Sequence, residues 1–370
     1  MRYCKRCVLP DTKPGIIFDS KGVCSACRYV ESKKNIDWDS RERKLEEICN
    51  EVRGSNGNGY DCVVPVSGGK DSMYQVYMLS QVHKLKVLVV TVMAHLQTPE
   101  GVNNLNSLIT NLGVDSIKVN PRPSTLKKIR RISLIKIGNP NYAEHHIVFS
   151  AVARVAMFYN APLVVWGEDI GTEFGGNVSK SSEEEGSAED LINNDLFRES
   201  SFEELTSGHI EDNELFFWKH PDIELMKSKN IRSIYLSHFY SWSGIENYNI
   251  AKKFGFVGRK EGPLSGNIIN YDNIDEKLCE VHIWLKFIKL GFWRPHDQCC
   301  YQIWNGHMSR EDAVKIVREK QYQFPIEYFE DFLNYHQITK QEYYKIEDKW
   351  RNNKIWTKKN GKWKLKVEIS

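Results

Sequence analysis

Six consecutive residues, Ser67-Gly68-Gly69-Lys70-Asp71-Ser72, have the types and order that suit binding of a pyrophosphate group. A buried-strand pattern at 63–66 precedes them, and a helical pattern begins at Asp71. Two glycines let the backbone approach an anion closely, and successive N–H groups at a helix start hold negative charge. The hydroxyls of Ser67 and Ser72 add donors, and Lys70 can reach the same charge. The segment therefore predicts cleavage of ATP into AMP and pyrophosphate, and the plainer alternative is a serine-capped helix after a glycine turn.

Four cysteines near the N-terminus form two pairs, Cys4-x2-Cys7 and Cys24-x2-Cys27, with sixteen residues between the pairs. This spacing is typical of a Cys4 zinc ribbon. Tetrahedral ligation by four thiolates suits zinc, and an iron–sulfur cluster is the second option. A module of about 30 residues has too little core to fold alone, so the metal would supply its folding energy. We predict a structural Zn2+ site, because four protein ligands leave no open position for catalysis.

Polar residues follow two of the predicted strands on the side where a ligand would lie. His95 comes after the strand at 87–93 and is predicted to contact ATP, while Thr98 and Asn104 lie just beyond it and are candidates for substrate contact. Glu168 follows a later strand. A carboxylate beside polyphosphate holds Mg2+ or a substrate hydroxyl, and the alternative is a loop-capping acid. For His95 the alternative is an ordinary capped histidine.

Two further pairs of polar residues are candidates for substrate contact. Glu144 and His145 begin a predicted helix, where they could touch substrate or merely supply a favourable acidic first turn. Arg294 and Asp297 lie in a turn-rich stretch, 291–298, between two predicted helices, where side chains can converge on a site. Arg294 could bind a phosphate or carboxylate through its two-pronged guanidinium, and a surface salt bridge is the usual alternative.

The bulk composition is that of a globular protein with a small net charge. The chain has 370 residues, of which 51 are basic and 48 acidic, so the net charge is +3. That balance gives no argument for nucleic acid and permits an anionic small molecule. The longest apolar runs fall short of the roughly 20 residues that span a bilayer, and the N-terminus lacks the apolar stretch of a secretory signal. We therefore expect a cytoplasmic protein without a membrane partner.

From residue 60 onward, short apolar strands alternate with helical patterns. Strands are predicted at 62–66, 87–93, 117–119, 163–166 and 231–236, and helices at 73–83, 101–112 and 144–159. Apolar strands that alternate with helices indicate a doubly wound parallel α/β sheet, whose ligands bind beyond the carboxyl ends of the strands. The pattern after residue 274 is helical, and the basic tail at 354–365 alternates around Asn360-Gly361 as a terminal hairpin would.

Changes in composition divide the chain into four predicted regions. They are a zinc-ribbon module at 1–35, a helix and linker at 36–59, an ATP pyrophosphatase domain at 60–273, and a helical C-terminal region with a basic tail at 274–370. Residues 171–213, inside the third region, are rich in Ser, Glu, Asp and Asn. A long polar loop of this kind is either a lid or disordered.

The hexapeptide at 67–72 resembles the PP-loop, Ser-Gly-Gly-x-Asp-Ser, of the ATP pyrophosphatase superfamily, which implies a HUP-like fold. Residues 1–315 together resemble the N-acetyl sugar amidotransferases of that superfamily. The matching motifs are Tyr3-Cys4-Lys5-Arg6-Cys7-Val8-Leu9-Pro10-Asp11-Thr12, Gly22-Val23-Cys24-Ser25-Ala26-Cys27, Thr91-Val92-Met93-Ala94-His95-Leu96-Gln97-Thr98, Val165-Trp166-Gly167-Glu168, Gly175-Gly176, Tyr235-Leu236-Ser237-His238-Phe239-Tyr240-Ser241-Trp242, Asp297-Gln298 and Asn305-Gly306-His307-Met308-Ser309-Arg310-Glu311-Asp312-Ala313.

This resemblance implies conversion of an acetamido group on a bacterial surface sugar, such as those of lipopolysaccharide O-antigen, into an acetamidino group. The substrate would be a nucleotide-linked diacetamido uronic acid or a nonulosonic acid, and ATP with Mg2+ would adenylate its amide oxygen. Ammonia would come from a partner glutaminase, often with a barrel subunit similar to a synthase, because no glutaminase domain is visible in this chain.

The candidate residues then fall into four groups. The predicted catalytic residues are Lys70, Asp71 and Glu168. ATP and its pyrophosphate would be bound by Ser67, Gly68, Gly69, Lys70, Asp71, Ser72 and His95. The candidates for substrate contact are Thr98, Asn104, Glu144, His145, Arg294 and Asp297, and the metal ligands are Cys4, Cys7, Cys24 and Cys27.

Two other functions fit parts of the sequence. A tRNA thiolation enzyme shares the PP-loop and often carries Cys-x-x-Cys modules, but it predicts a basic face for RNA and usually a catalytic cysteine near the nucleotide. The net charge of +3 and the motifs outside the loop count against it. The other alternative is a binding module with a vestigial ATP site, and the intact Ser67, Asp71 and Ser72 argue against that.

Overall fold

A five-stranded parallel sheet forms the centre of the fold. The structure, a computed structural model, describes residues 1–178, 180–188 and 201–370. The strands are β1 (Cys62–Pro65), β2 (Val87–Val92), β3 (Asp115–Val119), β4 (Leu163–Trp166) and β5 (Arg232–Tyr235), in the spatial order β3-β2-β1-β4-β5. Each neighbouring pair is parallel. The doubly wound parallel sheet that the sequence predicted is therefore confirmed.

Successive residues of the central strands are buried on opposite faces of the sheet. Val63 of β1 packs in one apolar cluster with Leu88 and Val90 of β2, whereas Val64 packs in a second cluster with Val89. Side chains alternate along a strand, so a strand that is covered on both faces must be apolar at every position. This requirement explains the unbroken valine and leucine runs of β1 and β2.

Helices cover the sheet and continue beyond it. Up to β4 they are Ser25–Ser32, Trp38–Val52, Lys70–Tyr77, Pro99–Leu112, Pro123–Ile137 and Tyr142–Phe158, and a π-helical turn at Met78–Val82 extends the third of them. After β4 they are Ile170–Phe174, Lys180–Glu185, Phe202–Thr206, Ile223–Ser228, Gly244–Lys253, Cys279–Leu290, Arg294–Trp304, Arg310–Lys320, Phe329–His336 and Lys340–Trp350. Short 3-10 turns occupy Lys33–Asn35, Asp212–Glu214 and Leu236–His238.

The N-terminal cysteine module shares its core with the C-terminal helices. Its four cysteines belong to one apolar cluster with Phe292 and Val317. The indole nitrogen of Trp304 donates a hydrogen bond to Cys27 Sγ at 3.2 Å. The region predicted as a separate module at 1–35 therefore packs on helices that lie far away in the sequence.

An antiparallel hairpin of β6 (Trp356–Lys359) and β7 (Lys362–Leu365) lies near the C-terminus, as the sequence predicted. Asn360 and Gly361 have φ angles of +50° and +75°. A two-residue Asn-Gly turn needs these left-handed conformations. Both strands contribute side chains to an aromatic cluster around Trp293.

The segment predicted as a polar loop, 171–213, contains short helices where the structure describes it. Ser201 begins the helix Phe202–Thr206 with a capping box that it forms with Glu204. Phe202 is buried beside the imidazole of His146, with the two ring centres 4.3 Å apart. The polar composition of the segment gave no sign of this packing, because only isolated apolar residues such as Phe202 take part in it. Residues 179 and 189–200 lie outside the described part of the chain, so a lid or disorder there stays a prediction.

The stretch at 291–298, predicted as turn-rich, is mostly helical. Gly291, with a φ of +79°, ends the helix Cys279–Leu290, and the next helix begins at Arg294. Proline is tolerated in a first turn because its missing N–H has no helical partner there, so Pro295 does not interrupt the helix. Within the described residues, no helix is long and apolar enough to cross a membrane.

Replacement of Phe202 by alanine tests whether the helix at Phe202–Thr206 is part of the core. The change should lower the free energy of unfolding by about 3–5 kcal/mol, because it removes a buried aromatic side chain. Chemical denaturation followed by fluorescence measures the loss. Phe158→Ala is the matched control, since Phe158 is 79% exposed, and it should cost less than about 0.5 kcal/mol. Equal losses in the two variants would contradict the packing of Phe202.

Candidate functional site

The predicted phosphate loop joins β1 to the helix Lys70–Tyr77. Gly68 has a φ of +90°, a conformation that favours glycine. A Cβ atom there would lie 2.9 Å from the backbone nitrogen of Leu105 and 3.0 Å from the carbonyl oxygen of Gly101. The loop therefore packs closely against the helix Pro99–Leu112, and a side chain at position 68 would push it away.

Two strand ends meet at the point where the strand order reverses. In the order β3-β2-β1-β4-β5, β1 and β4 are neighbours but lead to opposite sides of the sheet. Ligands of open α/β sheets bind in the crevice outside such a switch point. The loop after β1 and Gly167-Glu168 after β4 flank this crevice. A Cβ on Gly167 would lie 2.9 Å from the side-chain nitrogen of Gln75, which shows how closely β4 approaches the loop helix.

The ammonium group of Lys70 is paired with two carboxylates and is not free to contact a phosphate alone. Its Nζ lies 2.8 Å from Asp272 Oδ1 and 2.9 Å from Asp71 Oδ2. Burial alone would lower the pKa of Lys70, but the charges of Asp272 and Asp71 raise it well above the usual value. Lys70 is thus a fixed positive charge beneath the loop, and Asp272 is a site residue that the sequence reasoning missed.

Asp71 and Glu168 place two acids in the same crevice. Asp71 Oδ1 accepts a hydrogen bond from Asn247 Nδ2 at 2.8 Å. Burial, followed by the negative charge of Asp71, raises the pKa of Glu168 to about 8. Oxygen ligands of this kind suit Mg2+, whose charge would favour the ionised form of both acids. Asn247, which orients Asp71, was also missed.

The loop hydroxyls make local contacts in this structure. Ser72 Oγ donates to the carbonyl oxygen of Gly69 at 2.9 Å, and Ser67 Oγ accepts from the backbone N–H of Gly69 at 3.3 Å. Ser67 is exposed at the mouth of the loop. The backbone N–H groups at the start of the loop helix and the Ser67 hydroxyl could therefore bind an anion.

Thr98 and Asn104, predicted to contact substrate, have structural hydrogen bonds instead. Thr98 caps the helix Pro99–Leu112 by accepting from the N–H of Gly101, and its hydroxyl donates to the carbonyl of Ile274. The side-chain amide of Asn104 donates to the carbonyl of Val257 and accepts from its N–H, each at 2.9 Å. Both residues are fully buried. Their polar groups hold the 257–275 segment against the helix Pro99–Leu112.

His95 lies against the C-terminal region rather than over the loop. Its Nδ1 is 2.5 Å from the hydroxyl of Tyr335. Burial, followed by the positive charges of Arg130 and Lys127, lowers the pKa of His95, which favours the neutral imidazole. A neutral imidazole beside a tyrosine can orient a polar ligand, but these contacts do not connect His95 to the phosphate loop.

Glu144 belongs to a buried ion cluster around Arg130. Arg130 has no solvent exposure and pairs with Glu144, with Glu276 at 2.7 Å and with Asn141 Oδ1 at 2.9 Å. Burial, partly opposed by Arg130, raises the pKa of Glu144 to about 8. Glu144, which was predicted to contact substrate or to supply an acidic first turn, therefore pairs with the buried guanidinium of Arg130.

His145 packs with its ring edge-on to that of His282, at a centre-to-centre distance of 6.0 Å. Burial, with the charge of Arg130, lowers the pKa of His145 to about 4.

Arg294 and Asp297 are each paired within the C-terminal region. Arg294 lies 3.0 Å from Glu280, and both side chains are buried. Asp297 Oδ2 accepts from Lys286 Nζ at 2.7 Å. The pair that Arg294 forms is buried, so it is not the surface salt bridge that was the alternative for this residue. The guanidinium of Arg294 and the carboxylate of Asp297 each have an ion partner within the protein.

The four N-terminal cysteines come together as the sequence predicted. Their sulfur atoms all lie within 4.8 Å of one another, and all four side chains are buried. Cys4 and Cys27 are 3.9 Å apart and Cys7 and Cys24 3.7 Å apart, between sulfur atoms. Four thiolates bound tetrahedrally at about 2.3 Å would be about 3.8 Å apart. The cluster could therefore bind a metal ion without rearrangement.

A cavity of about 180 Å3 lies at the carboxyl ends of β4 and β5, beside the N-terminal module. Arg41, Asp169, Thr172 and His238 are among the residues that line it. Asp169 accepts from the N–H of Gly171 and from the hydroxyl of Thr172, so its carboxylate is already bonded. No sequence pattern pointed to this recess, because its lining comes from separate elements.

Replacement of Glu168 by glutamine should change how stability depends on pH. The folded-state pKa of about 8 exceeds the ordinary value of 4.5, so the native protein keeps a proton that the unfolded chain releases. The free energy of unfolding of the wild type should then fall as pH rises through this interval, and the variant lacks that loss. We would measure the free energy of unfolding in urea between about pH 5 and about pH 9. The value for the variant minus the value for the wild type should increase with pH until about pH 8.

Glu261→Gln, at an exposed position, is the control and should give a difference that does not vary with pH. A constant difference for Glu168→Gln would contradict the raised pKa.

The C-terminal part of the chain matches a known protein family. Residues 234–369 match the family described as LPS biosynthesis protein WbpG-like, C-terminal domain. The uncharacterized protein MJ1599 of Methanocaldococcus jannaschii is 25% identical over 169 residues, which cover 45% of this chain and 59% of that protein. The chain therefore spans less than two thirds of the length of this curated relative.

Several solved structures are distantly similar to the chain, among them the three that follow. The NH3-dependent NAD synthetase of Campylobacter jejuni has 19% identity and a TM-score of 0.30, covering 38% of this chain and 59% of that one. The U34-tRNA thiolase NcsA of Methanococcus maripaludis, with its 4Fe-4S cluster, has 12% identity and a TM-score of 0.32, covering 83% and 87%. The NMN synthetase of Francisella tularensis has 18% identity and a TM-score of 0.20, covering 34% and 48%.

TM-scores this low carry no inference about activity. The family match over residues 234–369 agrees with the resemblance to a PP-loop amidotransferase-like family of surface-polysaccharide biosynthesis that the sequence motifs indicated.

Proposed function

We propose that the protein is an ATP-dependent amidotransferase that converts an acetamido group of a bacterial surface-glycan sugar into an acetamidino group. The observation that carries this proposal is the glycine loop at the switch point, with Lys70, Asp71 and Glu168 around it. The similarity of residues 234–369 to lipopolysaccharide biosynthesis proteins supports a sugar substrate. The sugar would be linked to a nucleotide or would be a nonulosonic acid.

The proposed reaction needs ATP because an amide oxygen is a poor leaving group. Attack of that oxygen on the α-phosphorus of ATP releases pyrophosphate and forms an imidoyl-AMP. Ammonia then attacks the imidoyl carbon, AMP leaves with the former amide oxygen, and one proton is released. The acetamido group thereby exchanges oxygen for NH. No protein nucleophile is required, so catalysis rests on positioning, charge stabilisation and exclusion of water.

The residues of the crevice have matching roles in this proposal. Backbone N–H groups of the loop and the fixed charge of Lys70 would stabilise the departing pyrophosphate. Mg2+, held by Asp71 or Glu168, would screen the polyphosphate charge. If Asp71 holds the Mg2+, Glu168, whose pKa is raised to about 8 by burial and by the charge of Asp71, is the group suited to accept the proton that ammonia loses.

Ammonia would be supplied by a partner glutaminase, alone or assembled with a barrel subunit. In the absence of such a partner, a high concentration of ammonium should replace it. We further propose that the four-cysteine cluster holds a structural Zn2+ ion, because a tetrahedral set of four thiolates matches the coordination preference of zinc.

Metal analysis tests the zinc assignment. The purified protein should contain about one zinc per chain and lack the visible absorption of an iron–sulfur cluster. Cys24→Ser should lose the metal and lower the melting temperature, because metal binding contributes to folding of the module. Cys49→Ser is the matched control, since Cys49 is buried away from the cluster. Stoichiometric iron with acid-labile sulfide would overturn the zinc assignment.

An isotope-transfer assay tests the proposed reaction. The protein is incubated with ATP, Mg2+, high ammonium and diacetamido sugar nucleotides or nonulosonic acids whose acetamido oxygen is 18O. The expected products are AMP that carries the 18O and a sugar about one mass unit lighter than the unlabelled substrate. Asp71→Asn and Glu168→Gln should each slow AMP formation by about a hundredfold or more, whereas Glu261→Gln should leave it unchanged.

The same assay separates the proposal from its alternatives. AMP formation that depends on tRNA and a sulfur donor would replace the proposal with tRNA thiolation. Binding of ATP without AMP formation under any of these conditions would favour a vestigial site. AMP that retains only 16O would exclude adenylation of the amide.

A further inference from the structure

The cavity beside the N-terminal module is formed by three parts of the chain that are distant in sequence. Tyr29 and Arg41 belong to the first two helices, Thr172 follows β4, and His238 follows β5. A single water molecule needs about 10–15 Å3 of cavity volume. The cavity, at about 180 Å3, therefore has room for a ligand of roughly a dozen non-hydrogen atoms or more. A single sugar ring with its substituents is of this size.

An ion pair and a hydrogen bond hold the N-terminal wall of the cavity in place. Lys33 Nζ lies 2.5 Å from Glu173 Oε2, in the segment that follows β4. Arg41 Nη1 donates to the carbonyl of His238 at 2.8 Å. The guanidinium carbon of Arg41 also lies 5.4 Å from the ring centre of Trp38. The first two helices are therefore bonded to the carboxyl ends of β4 and β5, and the cavity between them is preformed.

The cavity lies next to the strand end that carries Glu168. Ser237, which lines the cavity, donates its N–H to the carbonyl of Gly167 at 3.0 Å. Its Oγ accepts from the N–H of Asp169 at 3.0 Å. Glu168 stands between these two residues in the sequence, and Gly167 packs against Gln75 of the loop helix. The cavity and the predicted ATP site therefore both border the same short segment at the end of β4.

Arg41 brings an unpaired positive charge to the cavity. In the ranges that the structure describes, its guanidinium forms no ion pair. Burial, followed by the charge of Arg41, lowers the pKa of His238 to about 4, which favours the neutral imidazole. Among the described residues of the lining, Arg41 is thus the cation. A guanidinium suits a carboxylate, because its planar fork can donate two parallel hydrogen bonds to the two oxygens.

The two acids of the lining do not neutralise Arg41. Asp169 accepts hydrogen bonds from the N–H of Gly171 and from the hydroxyls of Thr172 and Ser182, so its oxygens already have donors. Glu183 is exposed, so water screens its charge. The charge of Arg41 therefore remains available to a ligand.

A buried hydroxyl of the lining lacks an acceptor. Ser237 is 2% exposed. Its Oγ accepts from Asp169, but within the described ranges it donates to no protein group. Buried polar groups in native proteins nearly always have hydrogen-bond partners. The free O–H of Ser237, in the wall of the cavity, therefore indicates a place for a ligand oxygen.

We propose that this cavity binds an acidic, acetamido-bearing sugar ring of the substrate, with the carboxylate on Arg41 and another sugar oxygen on Ser237. This inference deepens the proposed function and rests on it for the class of substrate. Both a diacetamido uronic acid and a nonulosonic acid carry the required carboxylate. The N-terminal helices then take part in substrate binding in addition to flanking a metal site.

A purely structural role of Arg41 is the competing explanation, because Arg41 also bonds to the turn after β5 through His238. Loss of a structural residue would lower stability and would affect all ligands of the cavity alike. Loss of a carboxylate receptor would affect only a ligand that has a carboxylate. The preference between two sugars that differ in this group therefore distinguishes the two roles.

Isothermal titration calorimetry on the full chain with its metal, without ATP, measures this preference. The probes are N-acetylglucosaminuronate and N-acetylglucosamine, which differ only in a carboxylate in place of a hydroxymethyl group. The wild type should bind the acid about tenfold or more tightly than the neutral sugar, as expected for a charged hydrogen bond. Arg41→Gln should remove this preference by weakening the acid alone, and Arg41→Lys should retain part of it.

Two further variants serve as controls. Arg43→Gln, at an exposed position of the same helix, should bind both sugars like the wild type. Ser32→Trp tests the location without changing Arg41. Ser32 is an exposed residue at the edge of the cavity, so a large side chain there should obstruct entry and weaken both sugars without lowering the melting temperature.

Three results would each overturn the proposal. They are failure of the wild type to bind the acid, equal affinity of the wild type for the two sugars, and an unchanged preference in Arg41→Gln. Unaltered binding in Ser32→Trp would equally exclude this cavity as the site.

The AMP assay is independent of these measurements. AMP formation without Arg41-dependent binding would reject only the role of the cavity. Arg41-dependent binding without AMP formation would reject only the proposed reaction.

Discussion

The ion contact of Lys70 with Asp71 and Asp272 is the interaction on which the rest of the site depends. A desolvated ammonium is costly unless it is paired and hydrogen-bonded, and here two carboxylates supply both needs at 2.8 and 2.9 Å. Asp272 is 202 residues away from Lys70 in the sequence. The phosphate loop is therefore fixed by a residue of the chain that lies well beyond the sheet.

This contact gives the region matched to the WbpG-like proteins a direct place in the site. The segment around Asp272 is itself held by Arg259, which donates to the carbonyls of Asp272 and Asn273. Further along, Arg294 pairs with Glu280 inside the helices that carry Asp297 and Tyr301. The C-terminal region thus supplies the counter-charge of the loop. A sheet with a phosphate loop alone would lack it.

Features that depend on residues close together in the sequence could be predicted from it, and they include much of the fold and the metal-binding cysteines. The apolar runs of β1 and β2, the Asn360-Gly361 turn and the paired cysteines act over a few residues, and each was confirmed. The partners of isolated charges could not be predicted. Glu144 has the pattern of an acidic first turn, yet it pairs with Arg130, and Arg130 also binds Glu276, 146 residues further on. Nothing in one sequence marks such a distant pair.

Glu168 differs from the other charged residues that were predicted for the site, because it lacks an ion partner. Asp71, Asp297 and Arg294 each have an opposite charge beside them. Glu168, among the described residues, forms no ion pair, and the acid nearest to it repels its charge. Burial, and then the negative charge of Asp71, raises its pKa, and the positive charge of Lys70 offsets them only in part. A polyphosphate that brings its magnesium would supply the cation that Glu168 lacks as an ion partner. This buried acid thus indicates a ligand that carries positive charge toward Glu168.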